Sequence, residues 1–258
     1  EFELGLPSER LPAAIAEAAS RCPDQVAVRM RQAGVLREIT YKALVDRFVA
    51  GAQAYLDAGL RPGDRVVMIA ENSPEWAVAY FSITAAHGTA VPLDPLLPPA
   101  DLQKLIKLAE PRLIVLSEAV KGRLGPVNVG YPVADLSRIT DTPPAMTALA
   151  PACDDPDADP EITSLLFTSG TAGRPKGVML THRNLIYSGN VNPFWSPSPG
   201  GSMVGVLPLF HIYGFARILI VGLLANLSIT FLEEVRSDVL LSALQEFKPE
   251  IMPEIGRA

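Results

Sequence analysis

Short apolar runs alternate with helix-length amphipathic stretches along most of the chain, and this alternation limits the fold more than any other feature. Strands are expected at 26–30, 35–39, 65–70, 89–93, 112–116, 162–168, 178–180, 203–207 and 227–232, with one more beginning at 251. Helices are expected over 8–19, 40–58, 73–87, 101–109, 181–190, 211–224 and 237–247. In the second helix Leu44, Val45, Phe48, Ala52 and Leu56 recur at helical spacing, Thr40 offers an N-cap oxygen, and Gly59 stands just past the end. Ser73, Pro74 and Glu75 combine a cap, a first-turn proline and an acid near the positive helix end. Gly88 is the expected stop of that helix, and Thr181 and Ser237 are expected to cap later ones. Strand, helix, strand at this spacing implies an α/β fold with mostly parallel sheets flanked by helices.

Composition narrows the function classes. Of 258 residues, 48% are hydrophobic and 19% charged, which excludes a disordered chain and allows a sizeable core. The net charge of −6 leaves no broad basic footprint, so no nucleic-acid partner is expected. Mean hydropathy is high for a soluble protein, at +0.23. Even so, the most apolar window, 218–232, is shorter than the roughly 20 residues that span a bilayer. Asn226, Ser228 and Thr230 also interrupt it, so no transmembrane segment is expected. The N-terminus lacks a basic stretch followed by an apolar run, and no secretory leader is expected. Residues 1–5 read as a cloning-derived leader. Cys22 and Cys153 are too far apart in sequence to imply a disulfide framework or a zinc site, and they fit a reducing, cytoplasmic compartment.

The segment 151–160 holds four acids and three prolines in ten residues. A calcium loop would need a glycine at its sixth position and a glutamate at its twelfth, and neither is there. It reads as a solvated connector between a first α/β subdomain, 6–150, and a second region, 161–258.

The strongest chemical signal is Thr168-Ser169-Gly170-Thr171-Ala172-Gly173-Arg174-Pro175-Lys176-Gly177, placed between two apolar strands. Its glycines permit close backbone approach to a ligand, its hydroxyls donate, and successive amides can form a nest for an anion. Lys176 and Arg174 add positive charge. These features suit a polyphosphate. The segment is neither a Walker loop, since Gly177 follows Lys176 where a hydroxyl residue would be needed, nor a dinucleotide fingerprint.

This segment, with Val178-Met179-Leu180-Thr181-His182 directly after it, resembles the phosphate-binding signature of the adenylate-forming superfamily. Other stretches are similar to that superfamily in order and spacing: Ile39-Thr40-Tyr41-Lys42-Ala43-Leu44, Gly63-Asp64-Arg65-Val66-Val67 and Gly88-Thr89-Ala90-Val91-Pro92-Leu93-Asp94. Leu207-Pro208-Leu209-Phe210-His211-Ile212-Tyr213-Gly214 resembles a segment typical of its acyl- and aryl-CoA ligases. The likeness spans residues 8–250. It implies the N-terminal part of the superfamily's large domain, with 161–258 holding the phosphate loop and the start of a second, truncated subdomain.

The resemblance implies a two-step reaction. A carboxylic acid, here a fatty acid, attacks the α-phosphate of ATP with Mg²⁺ present; the thiol of CoA then takes the acyl group. Thr168, Ser169, Gly170, Thr171, Ala172, Gly173 and Lys176 are implied to cradle the nucleotide phosphates. Lys176 and His211 are implied as catalytic, His211 by orienting the carboxylate or gating its pocket. No residue is implied as a direct metal ligand. The alternatives are an aryl-CoA ligase of 4-coumarate type, an amino-acid adenylation domain, or an inactive unit that only binds phosphate or a partner. The superfamily's adenine, ribose and C-terminal lysine motifs do not occur, so the chain reads as a fragment, inactive alone and prone to self-association. Several other residues read as structural: His182 as a surface residue at a helix start, His87 as a helix C-terminal residue, Glu233 and Glu234 as a solvated turn, and Phe210 and Tyr213 as core or pocket wall. Trp76 and Trp195 stand outside any motif.

Overall fold

The computed structural model describes residues 10–124, 130–137, 162–168, 175–190 and 200–253. In chain order the first elements are α1 (Leu11–Arg21), β1 (Val26–Gln32), β2 (Val35–Thr40), α2 (Tyr41–Asp57), β3 (Arg65–Ile69), α3 (Pro74–Ala85), β4 (Thr89–Leu93) and α4 (Pro99–Ala109). Next come β5 (Leu113–Leu116), α5 (Glu118–Leu124), β6 (Val133–Asp135), β7 (Ile162–Thr168), β8 (Lys176–Thr181) and α6 (His182–Asn190). The last are β9 (Ser202–Gly205), a π-helix (Gly214–Ile220), α7 (Val221–Leu224), β10 (Ser228–Phe231) and α8 (Ser237–Phe247). The expected α/β class with mostly parallel sheets holds. Among the described residues every strand pairing is parallel except the β1–β2 and β7–β8 hairpins.

The chain divides into two units. The first comprises residues 1–46, 72–77 and 182–258; the second comprises 47–71 and 78–181.

The first unit contains a four-stranded sheet in the order β2-β1-β10-β9. Ala33 and Gly34 both adopt positive φ, which is what a two-residue hairpin turn between β1 and β2 requires. Val204, Leu232 and Ala243 pack together with Val239, Leu240 and Phe247, seating α8 on the sheet. Arg29 adds a cation over the Phe247 ring, 4.2 Å from its centroid. The Tyr41 hydroxyl donates to the backbone carbonyls of Leu223 and Leu227, which ties the start of α2 to the turn between α7 and β10.

The second unit contains a six-stranded sheet in the order β6-β5-β3-β4-β7-β8. Its central strands β3, β4 and β5 are buried almost throughout, so they read as continuous apolar runs rather than alternating ones. On α4, Leu102, Leu105, Ile106 and Ala109 form a single apolar stripe against Val67, Val91 and Ile114. Beneath β7 lies a buried hydroxyl chain. The Tyr80 and Ser164 oxygens are 2.9 Å apart, Ser164 meets Thr163 at 3.2 Å, and Thr163 donates to the Leu180 carbonyl at 3.1 Å. Burial pushes the Tyr80 hydroxyl well above the ordinary tyrosine pKa, so it stays neutral.

Local chemistry explains most helix boundaries. The Ala43 amide donates to Thr40 Oγ1 at 3.2 Å and the Trp76 amide to Ser73 Oγ at 3.1 Å, so both expected caps form. Gly59 ends α2 with φ of +88°. Other expectations need correction. His87, not Gly88, takes the left-handed conformation after α3. Gly88 is needed for packing instead, because a Cβ there would lie 3.0 Å from Leu60 Cδ2. Arg236 rather than Ser237 occupies the N-cap of α8, without a side-chain bond. The strand expected at 251 is a single parallel bridge between Met203 and Ile251. The short elements α5 and β6 carry too few residues to show a period. The single helix expected over 211–224 is a turn followed by the π-helix and α7. Phe215, Ala216, Ile218, Leu219 and Ile220 are all buried and Arg217 is the single charged residue of the segment, too little from which to read a helical period.

His182 is also corrected. It is buried rather than on the surface, and its Nδ1 accepts a hydrogen bond from the Leu11 amide at 3.1 Å. A histidine at the start of α6 therefore satisfies one of the otherwise unpartnered amides that open α1. That contact uses the Nδ1 lone pair as its acceptor. His182→Ala is expected to destabilise the fold by about 1–3 kcal/mol, the cost of a buried amide left without an acceptor. Denaturant unfolding measures it, and an unchanged midpoint would show that the amide finds another acceptor.

Candidate active site

β7 runs parallel to β4, with Ala90 opposite Ser164, so Thr168 lies at the carboxyl end of the parallel strands. Crevices beyond that end are where open α/β sheets bind ligands. The chain returns as β8, antiparallel to β7, and Thr168 faces Lys176 directly across the pair. Residues opposite one another in an antiparallel pair point to the same face, so the Thr168 hydroxyl and the Lys176 ammonium share one side of the hairpin. Both are exposed, and Thr168 Oγ1 lies 3.5 Å from the Lys176 carbonyl oxygen. Among the described residues none forms an ion pair with Lys176. At the next position a Cβ on Gly177 would fall 2.8 Å from Leu165 Cδ1, so a larger residue there would require the Leu165 side chain to shift. Ser169, Gly170, Thr171, Ala172, Gly173 and Arg174 lie outside the described residues. The described part of the segment is thus the stem of a hairpin that brings one hydroxyl and one cation to the sheet's carboxyl end.

His211 belongs to the first unit and Lys176 to the second. The His211 side chain is exposed on a tight turn. Its amide donates to the Pro208 carbonyl at 3.2 Å, its Nδ1 accepts from the Tyr213 amide at 3.3 Å, and its carbonyl accepts from the Phe215 amide at 2.9 Å. The ring is therefore held by its own loop, and its Nε2 carries the proton. Gly214 closes the turn so tightly that a Cβ there would collide with the Pro208 carbonyl. The π-helix begins at that glycine, and the Val221 amide reaches back to the Ala216 carbonyl. Short π segments are frequent at functional sites. Phe210 is half-buried and Tyr213 exposed, while Trp76, outside any motif, packs on Phe215 with ring centroids 6.1 Å apart. Trp195 lies outside the described residues.

The described donors suit phosphate oxygens rather than a cation. Among the described residues no three His, Cys, Asp or Glu side chains cluster to hold a metal ion. Cys153 and the acidic stretch around it lie outside the described residues. Cys22 is half-buried and receives the Asn226 amide at 2.8 Å; burial pushes its thiol above the usual range. Among the described residues no helix is long and apolar enough to cross a membrane.

The sequence pattern of the AMP-binding enzymes matches residues 15–257. The chain belongs to the AMP-binding enzyme family. Among curated relatives of this family member, the long-chain-fatty-acid–CoA ligase of Bacillus subtilis is 24% identical, over 97% of the chain and 51% of its own length. The 4-coumarate–CoA ligase CCL1 of Humulus lupulus is 28% identical, over 85% of the chain and 43% of its own length. Among solved structures, ATP-bound MatB from Rhodopseudomonas palustris superposes with a TM-score of 0.75 at 26% identity, covering 93% of the chain and 48% of MatB. The chain spans about half the length of the curated relatives it matches, 51% and 43% for the two named. The expected family is thus the family found.

Proposed function

We propose that the AMP-binding chain supplies the phosphate-gripping part and a portion of the acid-binding part of an AMP-forming acid–CoA ligase. In the first step a carboxylate oxygen bonds to the α-phosphorus of ATP and pyrophosphate leaves, giving an acyl-adenylate. In the second the thiol of CoA attacks the acyl carbon and AMP leaves. The observation that carries this reading is the β7–β8 hairpin, which places Thr168 and Lys176 side by side at the carboxyl end of the sheet.

The first step brings two anions together. Lys176 would neutralise charge on the β- and γ-phosphates and on the departing pyrophosphate, with Thr168 and residues 169–173 donating hydrogen bonds. Mg²⁺ would arrive on the phosphate oxygens of ATP, which it helps to neutralise. His211, its proton on Nε2, would orient the acid's carboxylate by donating to it rather than by transferring a proton.

The acid is proposed to be a fatty acid, as in the Bacillus relative's name, with an aryl acid as the alternative on the strength of the 4-coumarate ligases. ATP and CoA as co-substrates support a cytoplasmic site of action. Alone, a chain that spans half of such a ligase is proposed to be inactive. The test is pyrophosphate exchange by the full-length polypeptide with a panel of fatty and aryl acids. Exchange that depends on one acid class is expected. Exchange with none of them would remove the ligase reading.

A further inference from the structure

The turn that carries His211 has an anchor outside itself. β9 ends at Gly205, and the chain then runs through Leu207, Pro208 and Leu209 without a strand partner among the described residues. Asn72, on the turn leading into α3, takes the partner's place. Its Nδ2 donates to the Leu207 carbonyl at 2.8 Å, and its Oδ1 accepts from the Leu209 amide, also at 2.8 Å. One planar amide thus spans the residues on either side of Pro208, which has no N–H to contribute. Leu209 is fully buried, so the clamped point is fixed on its other side by packing. From there the chain turns back on itself, and the Pro208 carbonyl receives the His211 amide and lies against Gly214.

We propose that Asn72 is a positioning residue for the acid half-site: it fixes the Leu207–Leu209 backbone, and through it the place of the His211 ring. This rests on the reading of His211 given above. The requirement is specific to asparagine. Aspartate keeps the acceptor for Leu209 but sets an anionic oxygen against the Leu207 carbonyl. Alanine removes both bonds, and glutamine carries the amide one methylene too far. Both of these Asn72 bonds go to backbone atoms, so its loss would act through the geometry of the turn rather than through the chemistry.

The test uses Asn72→Asp and Asn72→Ala in the full-length polypeptide. Amide hydrogen exchange at Leu209 is expected to rise in Asn72→Ala, and kcat/KM for the acid to fall about ten- to a hundredfold, the scale of a small misplacement at a reacting centre. KM for ATP is expected to stay unchanged. In a His211→Ala background the same Asn72→Ala change is expected to cost almost nothing further, since the two act as one unit. Should Asn72→Ala fail to fold, Asn72→Asp gives the same comparison with one bond retained. Unaltered acid kinetics, an ATP effect as large as the acid effect, or full additivity with His211→Ala would each overturn the inference. A wild-type polypeptide with no acid-dependent exchange would overturn the ligase reading, and this inference with it. An active wild type with unaffected variants would overturn this inference alone.

Discussion

Lys176→Ala in the full-length polypeptide is expected to lower acid-dependent pyrophosphate exchange about a hundredfold, the scale seen when one preorganised charge-stabilising group is removed from such a site. The argument is electrostatic. Two anions meet in the adenylation step, and pyrophosphate carries away more charge than bound ATP presented at the same oxygens. A cation whose backbone is paired opposite Thr168 at the end of a strand starts close to where that charge builds. The loss should therefore fall on the rate more than on KM for the acid. Thr168→Val, which removes a neutral donor from the same face, should cost less than the lysine change. An adenylation rate that survives Lys176→Ala would take the hairpin out of the mechanism.

The largest expected effect on stability lies at the opposite end of the same sheet. Asp64 Oδ2 accepts from Arg112 Nη1 at 2.6 Å, with both side chains only 10% exposed. The same oxygen accepts from the Arg61 amide at 2.7 Å, and the Asp64 carbonyl from the Thr89 amide at 2.8 Å. The Arg112 amide in turn donates to the Arg65 carbonyl at 2.8 Å. The pair thereby joins the entry points of β3, β4 and β5. Removing only the carboxylate takes from a buried guanidinium the charge partner that lies 2.6 Å from it. Asp64→Ala should destabilise the fold by about 3–5 kcal/mol. In thermal unfolding this is a drop on the order of ten degrees. Replacing both partners with apolar residues, Asp64→Leu with Arg112→Met, should recover much of the loss, because no unpaired charge remains. A single variant that melts with the wild type would show that the pair contributes nothing.

What could be read from the sequence followed the range of the interactions involved. Thr40 and Ser73 were legible as caps because each bonds an amide three residues away. The apolar stripe of α4 was legible because its period lies within a single element. The strands of the β7–β8 hairpin were legible from the residues themselves, since two apolar runs flank a stretch rich in glycine and hydroxyl residues. His182 was misjudged because its partner, Leu11, lies 171 residues away. Asn72 gave no signal for the same reason: its partners are 135 and 137 residues distant, and an asparagine before a serine cap looks like any other turn residue. The π-helix escaped because a single arginine among buried apolar residues carries too little phase. Long-range pairing and all-round burial erase the two cues on which reading by eye depends.

The pairing of β1 with β10 constrains how the polypeptide is made. Arg29 bonds Thr230 across 201 residues of sequence, so the sheet of the first unit cannot close until β10 has left the ribosome. The β1–β2 hairpin emerges early with one edge bare, while the second unit can assemble during the wait. Such late closure of distant strands is slow and leaves sticky intermediates. Until β10 arrives, β1 waits with an unpaired edge that invites association with other chains.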